Sequence, residues 1–221
     1  MLTPNQYPLV IFDWDGTLMD SVPRIVASMQ TLAAESDLPI PTTEAIHDII
    51  GLSLPIALER LFDAHDVQQQ QRLLAIYREI YVVRDTTPTP MFAGATQLLS
   101  DLRGVGYTLA VATGKARPGL ERAWAQSQTK ALFTASRCAQ EVASKPHPQM
   151  LQEILSETEV SAERALMVGD SIHDMEMARN AQVAAIGVTY GVHSAARLAT
   201  AKPKYTIDSI AQLRELLLSE V

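Results

Sequence analysis

The sequence predicts an α/β fold, a doubly wound parallel sheet with an inserted α-helical subdomain. Three observations carry this. Short, continuous apolar runs recur along the chain, each stops at glycine or small polar residues, and most are followed by a helical pattern. Runs that are apolar throughout, rather than at alternate residues, suit strands buried on both faces, as parallel strands are. Strands alternating with helices give the crossover units of a doubly wound sheet, and one segment that reads as helix only breaks that rhythm.

In chain order, the first strand is Leu9-Val10-Ile11-Phe12, ending at Asp13-Trp14-Asp15-Gly16. Helices follow over Val22 to Ala34, Thr43 to Ile49, Leu54 to Phe62 and Gln68 to Val83. Thr42-Thr43-Glu44 and Ser53-Leu54-Pro55 mark helix starts, with capping hydroxyls and an early proline. This is too much helix for a simple crossover. Residues 19–87 therefore read as an inserted helical unit, and 1–18 with 88–221 as the α/β core. Leu18-Met19-Asp20-Ser21 leads out, and Thr86-Thr87-Pro88-Thr89-Pro90 leads back, its prolines holding the chain extended. Gly104 and Gly106 read as a helix stop and turn, because a dinucleotide fingerprint would follow a strand, not precede one. Further strands are Thr108 to Ala112, Ala165 to Val168 and Val183 to Ile186, with Phe133 and Tyr205-Thr206-Ile207 marking two shorter ones. A helix spans Gln149 to Ser156.

Composition narrows the function. The 221 residues are 47% apolar, enough for a real core, and 18 basic against 25 acidic side chains give a net charge of −7. A net anion is poorly suited to gripping a phosphate backbone, so no nucleic-acid partner is expected. The single cysteine, Cys138, cannot form an intramolecular disulfide or a thiolate metal cluster and reads as a packing residue. The longest nearly apolar stretch, Val183 to Val192, is far short of the roughly 20 residues of a membrane helix. Met1 to Tyr7 lacks a basic segment followed by an apolar one. A cytoplasmic protein with no membrane partner is expected.

The chemistry concentrates at strand ends. Asp13-Trp14-Asp15-Gly16-Thr17-Leu18 places two carboxylates at the open edge of the sheet, tolerable there if a cation neutralises them or one holds a proton. Oxygen-only ligands suit a hard divalent ion such as Mg²⁺. Gly169-Asp170-Ser171-Ile172-His173-Asp174 repeats the pattern, its two carboxylates spaced to meet at one locus in the first turn of a helix. The alternative is local capping by Asp170 or Ser171. Thr113-Gly114-Lys115 offers a hydroxyl and backbone N–H groups to a phosphoryl oxygen, but is no P-loop, since the leading glycine is missing. Ser144-Lys145-Pro146-His147-Pro148 brings a lysine to balance negative charge. The five histidines lack zinc-ligand spacing: His47 and His65 read as surface positions, and His173 as solvent-exposed. Trp14 and Trp124 read as packing residues.

Together, Asp13-x-Asp15-Gly16-Thr17, Thr113-Gly114, Lys145-Pro146 and Gly169-Asp170-Ser171-x-x-Asp174 resemble, in order and spacing, the four motifs of the haloacid dehalogenase superfamily. The overall pattern is similar to its phosphoglycolate phosphatase-like branch, with a Rossmann-like core and a helical cap. The resemblance implies Asp13 as nucleophile, Asp15 as general acid and base, and Thr113 and Lys145 holding phosphoryl oxygens. It places Gly16, Thr17 and Gly114 around the phosphate and Gly51-Leu52-Ser53 in a cap loop facing the substrate. Mg²⁺ would be held by Asp13, Asp170 and the Asp15 carbonyl, with Asp174 supporting the metal or Lys145. It implies a phosphomonoesterase acting on a small phosphorylated, phosphoglycolate-like metabolite as monomer or homodimer. Dehalogenases lack the second acid, and β-phosphoglucomutases carry a histidine near the position of Arg24. A phosphotransferase or mutase, and a catalytically silent metabolite-binding protein, remain as alternatives.

Overall fold

The computed structural model describes residues 2–218. They form a six-stranded, all-parallel sheet: β1 Leu9–Phe12, β2 Thr108–Ala116, β3 Ala135–Ala139, β4 Ala165–Gly169, β5 Ala184–Val188 and β6 Tyr205–Ile207, in the order β3-β2-β1-β4-β5-β6. This order reverses direction at β1, so the chain leaves a crevice at the carboxyl ends of β1 and β4, where such sheets take ligands. All four β1 residues are fully buried. Successive side chains alternate between two cores. Val10 and Phe12 join one core with α5 Ala95–Gly104, α6 Arg117–Ser127 and α10 Ile210–Leu218. Leu9 and Ile11 join the other with α7 Gln149–Thr158, α8 Ile172–Asn180 and α9 Ala195–Ala199. Each such side chain contributes about 1.5–3 kcal/mol on burial, which is why the continuous apolar run specifies a central strand.

Between β1 and β2, helices α1 Val22–Glu35, α2 Thr43–His47, α3 Leu54–Phe62 and α4 Val67–Glu79 pack around a third core of Met29, Leu32, Ile46, Leu58 and their neighbours. The chain leaves and returns side by side: Asp20 N donates to the Pro90 carbonyl at 2.8 Å and Phe92 N to the Leu18 carbonyl at 2.9 Å. Thr42 caps α2 as its hydroxyl predicts, accepting from Ala45 N. Ser53 stands at the start of α3, yet its hydroxyl makes no cap bond.

Several boundaries differ from the sequence expectation. The helix expected to reach Ile49 ends at His47. The one expected over Gln68 to Val83 is α4, capped by Asp66, followed by a π-helical turn over Ile80–Arg84 that closes through Asp85 N to the Ile80 carbonyl. Phe133 is not in a strand: β3 begins at Ala135, and the Phe133 ring packs on Trp14 and Trp124 at 6.0 Å. β2 continues past Ala112 to Ala116 through an irregular register, and β5 runs two residues beyond Ile186. None of the described helices is long and apolar enough to cross a membrane.

Candidate active site

β1 ends by delivering Asp13 to the crevice, 1% exposed. β4 does the same for Asp170, and the first turn of α8 for Asp174, both fully buried. One carboxylate oxygen of each of these three lies within 4.8 Å of the others. α8 begins with a capping box in which Ser171 and Asp174 bond reciprocally, so Asp174 Oδ2 accepts from Ser171 N–H at 3.1 Å, and it also accepts from the Ser171 hydroxyl at 2.6 Å. Asp170 is pinned on both oxygens, by the Thr17 hydroxyl at 2.9 Å and Val192 N–H at 2.8 Å. Gly16 is required beside it: its φ is +80°, and a Cβ there would stand 2.2 Å from Asp170 Oδ2.

Lys145 is buried between two of these acids. Its Nζ donates to Asp174 Oδ1 at 2.6 Å and lies 2.8 Å from Asp13 Oδ1. That second approach is an ion pair without hydrogen-bond alignment, so neither Asp13 oxygen has a hydrogen-bond partner among the described residues. Three buried carboxylates around one ammonium leave excess negative charge. Burial, then the charges of Asp174 and Asp170, raises the Asp13 carboxyl well above its usual range despite Lys145. Burial and Asp174 push Asp170 up to about 7. Burial works against the Lys145 ammonium, but Asp13 and Asp174 outweigh it and raise its pKa. The orphaned oxygens of Asp13, the all-oxygen donor set and the surplus charge fit a hard divalent cation at Asp13 and Asp170.

Asp15 was expected to offer an ion its backbone carbonyl, and its carboxylate is engaged elsewhere. Its carboxylate is not in the converging trio; it is taken by the Ser21 hydroxyl and by Lys115 Nζ, at 2.7 and 2.9 Å to the two oxygens. Only its carbonyl is left to serve an ion. Lys115 and Ser21 escaped the sequence reading. The signal was Lys115 two residues beyond Thr113, which the irregular end of β2 turns toward the site. Thr113 is buried, its Oγ1 accepting Lys115 N–H at 3.2 Å. Thr17, expected at the phosphate, spends its hydroxyl proton on Asp170.

The helical insertion closes over this crevice. A Cβ on Gly114 would fall 2.5 Å from the Gly51 carbonyl and 2.6 Å from that of Leu52, so the two loops touch through backbone alone. Ser53 N donates to Ser144 Oγ at 2.9 Å. Asp48 is held by Arg197, and its carbonyl meets His173 Nε2 at 2.9 Å. His173 is therefore buried, not exposed, because the insertion covers it. Asp13, Asp15, Thr113, Gly114, Gly51 and Leu52 line one cavity of about 710 Å³ under the insertion.

His193 lies beside this contact. Its Nδ1 accepts Ile172 N–H at 2.9 Å, which places the proton on Nε2, 3.6 Å from Asp48 Oδ1. Burial, then the Arg197 charge, pushes its pKa down to about 4, whereas an unfolded histidine titrates near 6.5. The unfolded chain then binds the extra proton, so stability is full above about pH 6.5 and falls toward about pH 4. Asp13 and Asp170, held above their usual range, act with the opposite sign, so the test is a difference: the Tm of the parent minus that of His193→Asn should fall between about pH 6.5 and about pH 4, and a constant difference would refute the assignment.

A parallel sheet of this order, with acids at the ends of β1 and β4 and a helical insertion directly after β1, defines a protein of the haloacid dehalogenase-type fold. The family described as haloacid dehalogenase-like hydrolase matches residues 10–188, and the chain belongs to it. It is 37% identical over 220 residues to the probable phosphatase IndB of Dickeya dadantii, covering 93% of this chain and 91% of that one. It is 30% identical to a phosphoglycolate phosphatase of Agrobacterium fabrum, covering 97% and 94%. In fold it is similar to a crystal structure titled as a predicted phosphoglycolate phosphatase of Haemophilus somnus, with a TM-score of 0.86, 24% identity, and coverage of 96% and 98%.

Proposed function

We propose that this chain is a magnesium-dependent phosphomonoesterase that hydrolyses a small phosphorylated metabolite through an aspartyl phosphate on Asp13. Membership in the hydrolase family and relatives named as phosphatases support the phosphatase class. The single observation that carries the mechanism is Asp13 itself: a buried carboxylate on the cavity wall, with an ammonium at 2.8 Å and no hydrogen bond to tie down either oxygen.

An Asp13 oxygen attacks phosphorus, and the ester bond to the leaving alcohol breaks. Asp15 gives the departing oxygen its proton, then takes one from the water that attacks the acyl phosphate, releasing inorganic phosphate and restoring Asp13. Lys115 and Ser21 hold Asp15 in place for both transfers. Lys145, the Thr113 hydroxyl and the backbone at Gly114 hold the non-bridging oxygens, and Asp174 fixes Lys145. Bound between Asp13, Asp170 and the Asp15 carbonyl, Mg²⁺ would neutralise the charge of a carboxylate meeting a phosphate dianion. Residues 19–87 act as a lid that excludes water and faces the leaving group with Gly51 and Leu52, while Ser53, expected beside them, is not on the cavity wall.

The test is phosphate release over a panel of metabolite phosphates, phosphoglycolate included, with Mg²⁺ and with chelator. Release that needs Mg²⁺ is expected. Quantitative transfer to a second hydroxyl would make the protein a phosphotransferase, and no turnover by the folded protein would make it a binding protein. Mg²⁺ at 100 times its Kd should raise stability by about 2.7 kcal/mol, an effect that Asp170→Asn should largely remove in urea unfolding.

A further inference from the structure

The leaving-group side of the cavity has a chemistry of its own. The whole cavity, phosphate end included, has about 710 Å³, the volume of pockets that enclose drug-sized ligands and more than a phosphorylated two-carbon acid fills. Among polar groups such as Arg78, Glu79 and Arg122, its lining carries an apolar stretch of Ile25, Ile49, Ile50, Leu54 and the valines of the π-helical turn. That turn leaves Val82 and Val83 42% and 73% exposed at the lip, and presents Tyr81, stacked on Tyr77 with ring centres 5.7 Å apart. Extra-residue turns of this kind often mark functional sites, because they rotate side chains off the regular helical stripe.

Two cations flank the Tyr81 ring. Lys115 Nζ is 5.5 Å from its centre and belongs to Asp15, which ties this ring to the reacting end of the cavity. The Arg24 guanidinium is 5.0 Å from the centre and pairs with no carboxylate among the described residues. Arg24 donates to the Asp85 carbonyl, while the Asp85 carboxylate is occupied by Ser28 and Thr87, and Arg24 Nε is buried with no partner among the described residues. A buried N–H without an acceptor is costly, so a ligand oxygen arriving there is favoured.

We propose that the substrate is a phosphate monoester of a ring-bearing alcohol, its ring seated against Tyr81 and the Val82 lip and an acceptor oxygen turned to Arg24, and not a two-carbon acid. This rests on the phosphomonoesterase reading above and names its substrate class. A flat ring lies along the apolar wall, packs edge-on against Tyr81, whose ring already carries Tyr77, Arg24 and Lys115, and excludes water from both, whereas phosphoglycolate leaves that wall wet.

The test uses Asp13→Asn protein with Mg²⁺, so that esters bind without turning over. Calorimetry compares pyridoxine 5′-phosphate and adenosine 5′-monophosphate with phosphoglycolate. At least one ring-bearing ester should bind about tenfold or more tightly than phosphoglycolate. Adding Tyr81→Ala or Val82→Asp should reduce that ratio about threefold or more; Val82 is exposed enough for the second change to leave folding intact. Phosphoglycolate binding as tightly as every ring ester, no ester binding at all, or a ratio that neither substitution moves, overturns the proposal. Failure of the wild-type protein to release phosphate from any ester refutes the hydrolase reading instead, and the binding ratio still decides this one.

Discussion

Asp13→Asn should abolish turnover, by on the order of 10⁴-fold or more, the scale on which losing a covalent nucleophile acts. The amide matches the carboxylate in size, so the packing at the end of β1 is kept. It also removes one of three acids crowded within 4.8 Å, where burial and like charge raise Asp13. The metal-free variant should therefore be at least as stable as the parent, while its Mg²⁺-dependent stabilisation is smaller but not abolished, because Asp170 and the Asp15 carbonyl remain. Steady-state phosphate release and urea unfolding with and without Mg²⁺ measure both arms. Residual activity near the parent's would remove Asp13 from the nucleophile's role. A large loss of metal-free stability would show that its charge holds the fold together rather than straining it.

Lys145→Met should have the second-largest effect, and on two quantities. Lys145 is a fully buried cation serving Asp13 and Asp174 at 2.8 and 2.6 Å. Removing one partner from a buried ion pair leaves uncompensated charge and costs about 3–5 kcal/mol. Losing one preorganised donor to the phosphoryl oxygens lowers kcat about 10²–10³-fold. The two can be separated. Adding Asp174→Asn removes an acid that the methionine orphans, so the double variant should recover part of the stability and none of the rate. Additive stability losses would show that the two side chains are energetically independent despite their contact.

The legible parts of the fold follow from burial on both sides of the sheet. Leu9 to Phe12 cannot be amphipathic in the centre of a doubly covered sheet, so the run of apolar residues identifies the strand and its end identifies where Asp13 and Asp15 emerge. The edge of the sheet was less legible. β3, Ala-Ser-Arg-Cys-Ala, lacks the apolar run because only one neighbour covers it, and Phe133, two residues earlier, drew the prediction through its hydrophobicity. Likewise, no local pattern separates α4 from the π-helical turn at Ile80–Arg84, because the extra residue is accommodated by packing against α1 and not by its own propensity.

The acids of the site could be read because each follows a strand within a few residues. Their partners could not. Lys115 reaches Asp15 across 100 positions, and His173 is covered by Asp48 from the helical insertion 125 positions away. A cation three residues past the expected end of a strand is ordinarily solvated, and a histidine in a helix's first turn is ordinarily exposed. Only closure of the insertion and the irregular end of β2 make them otherwise. The amino-acid order by itself determined which segments become central strands and which carboxylates stand at their ends, because hydrophobic burial and strand termination are local. Tertiary structure alone decided which ammonium faces which acid, that Asp15 is held apart from Asp13, Asp170 and Asp174, and how large a chamber lies above them. Those depend on Coulomb and packing terms between groups that the backbone brings together only once it has folded.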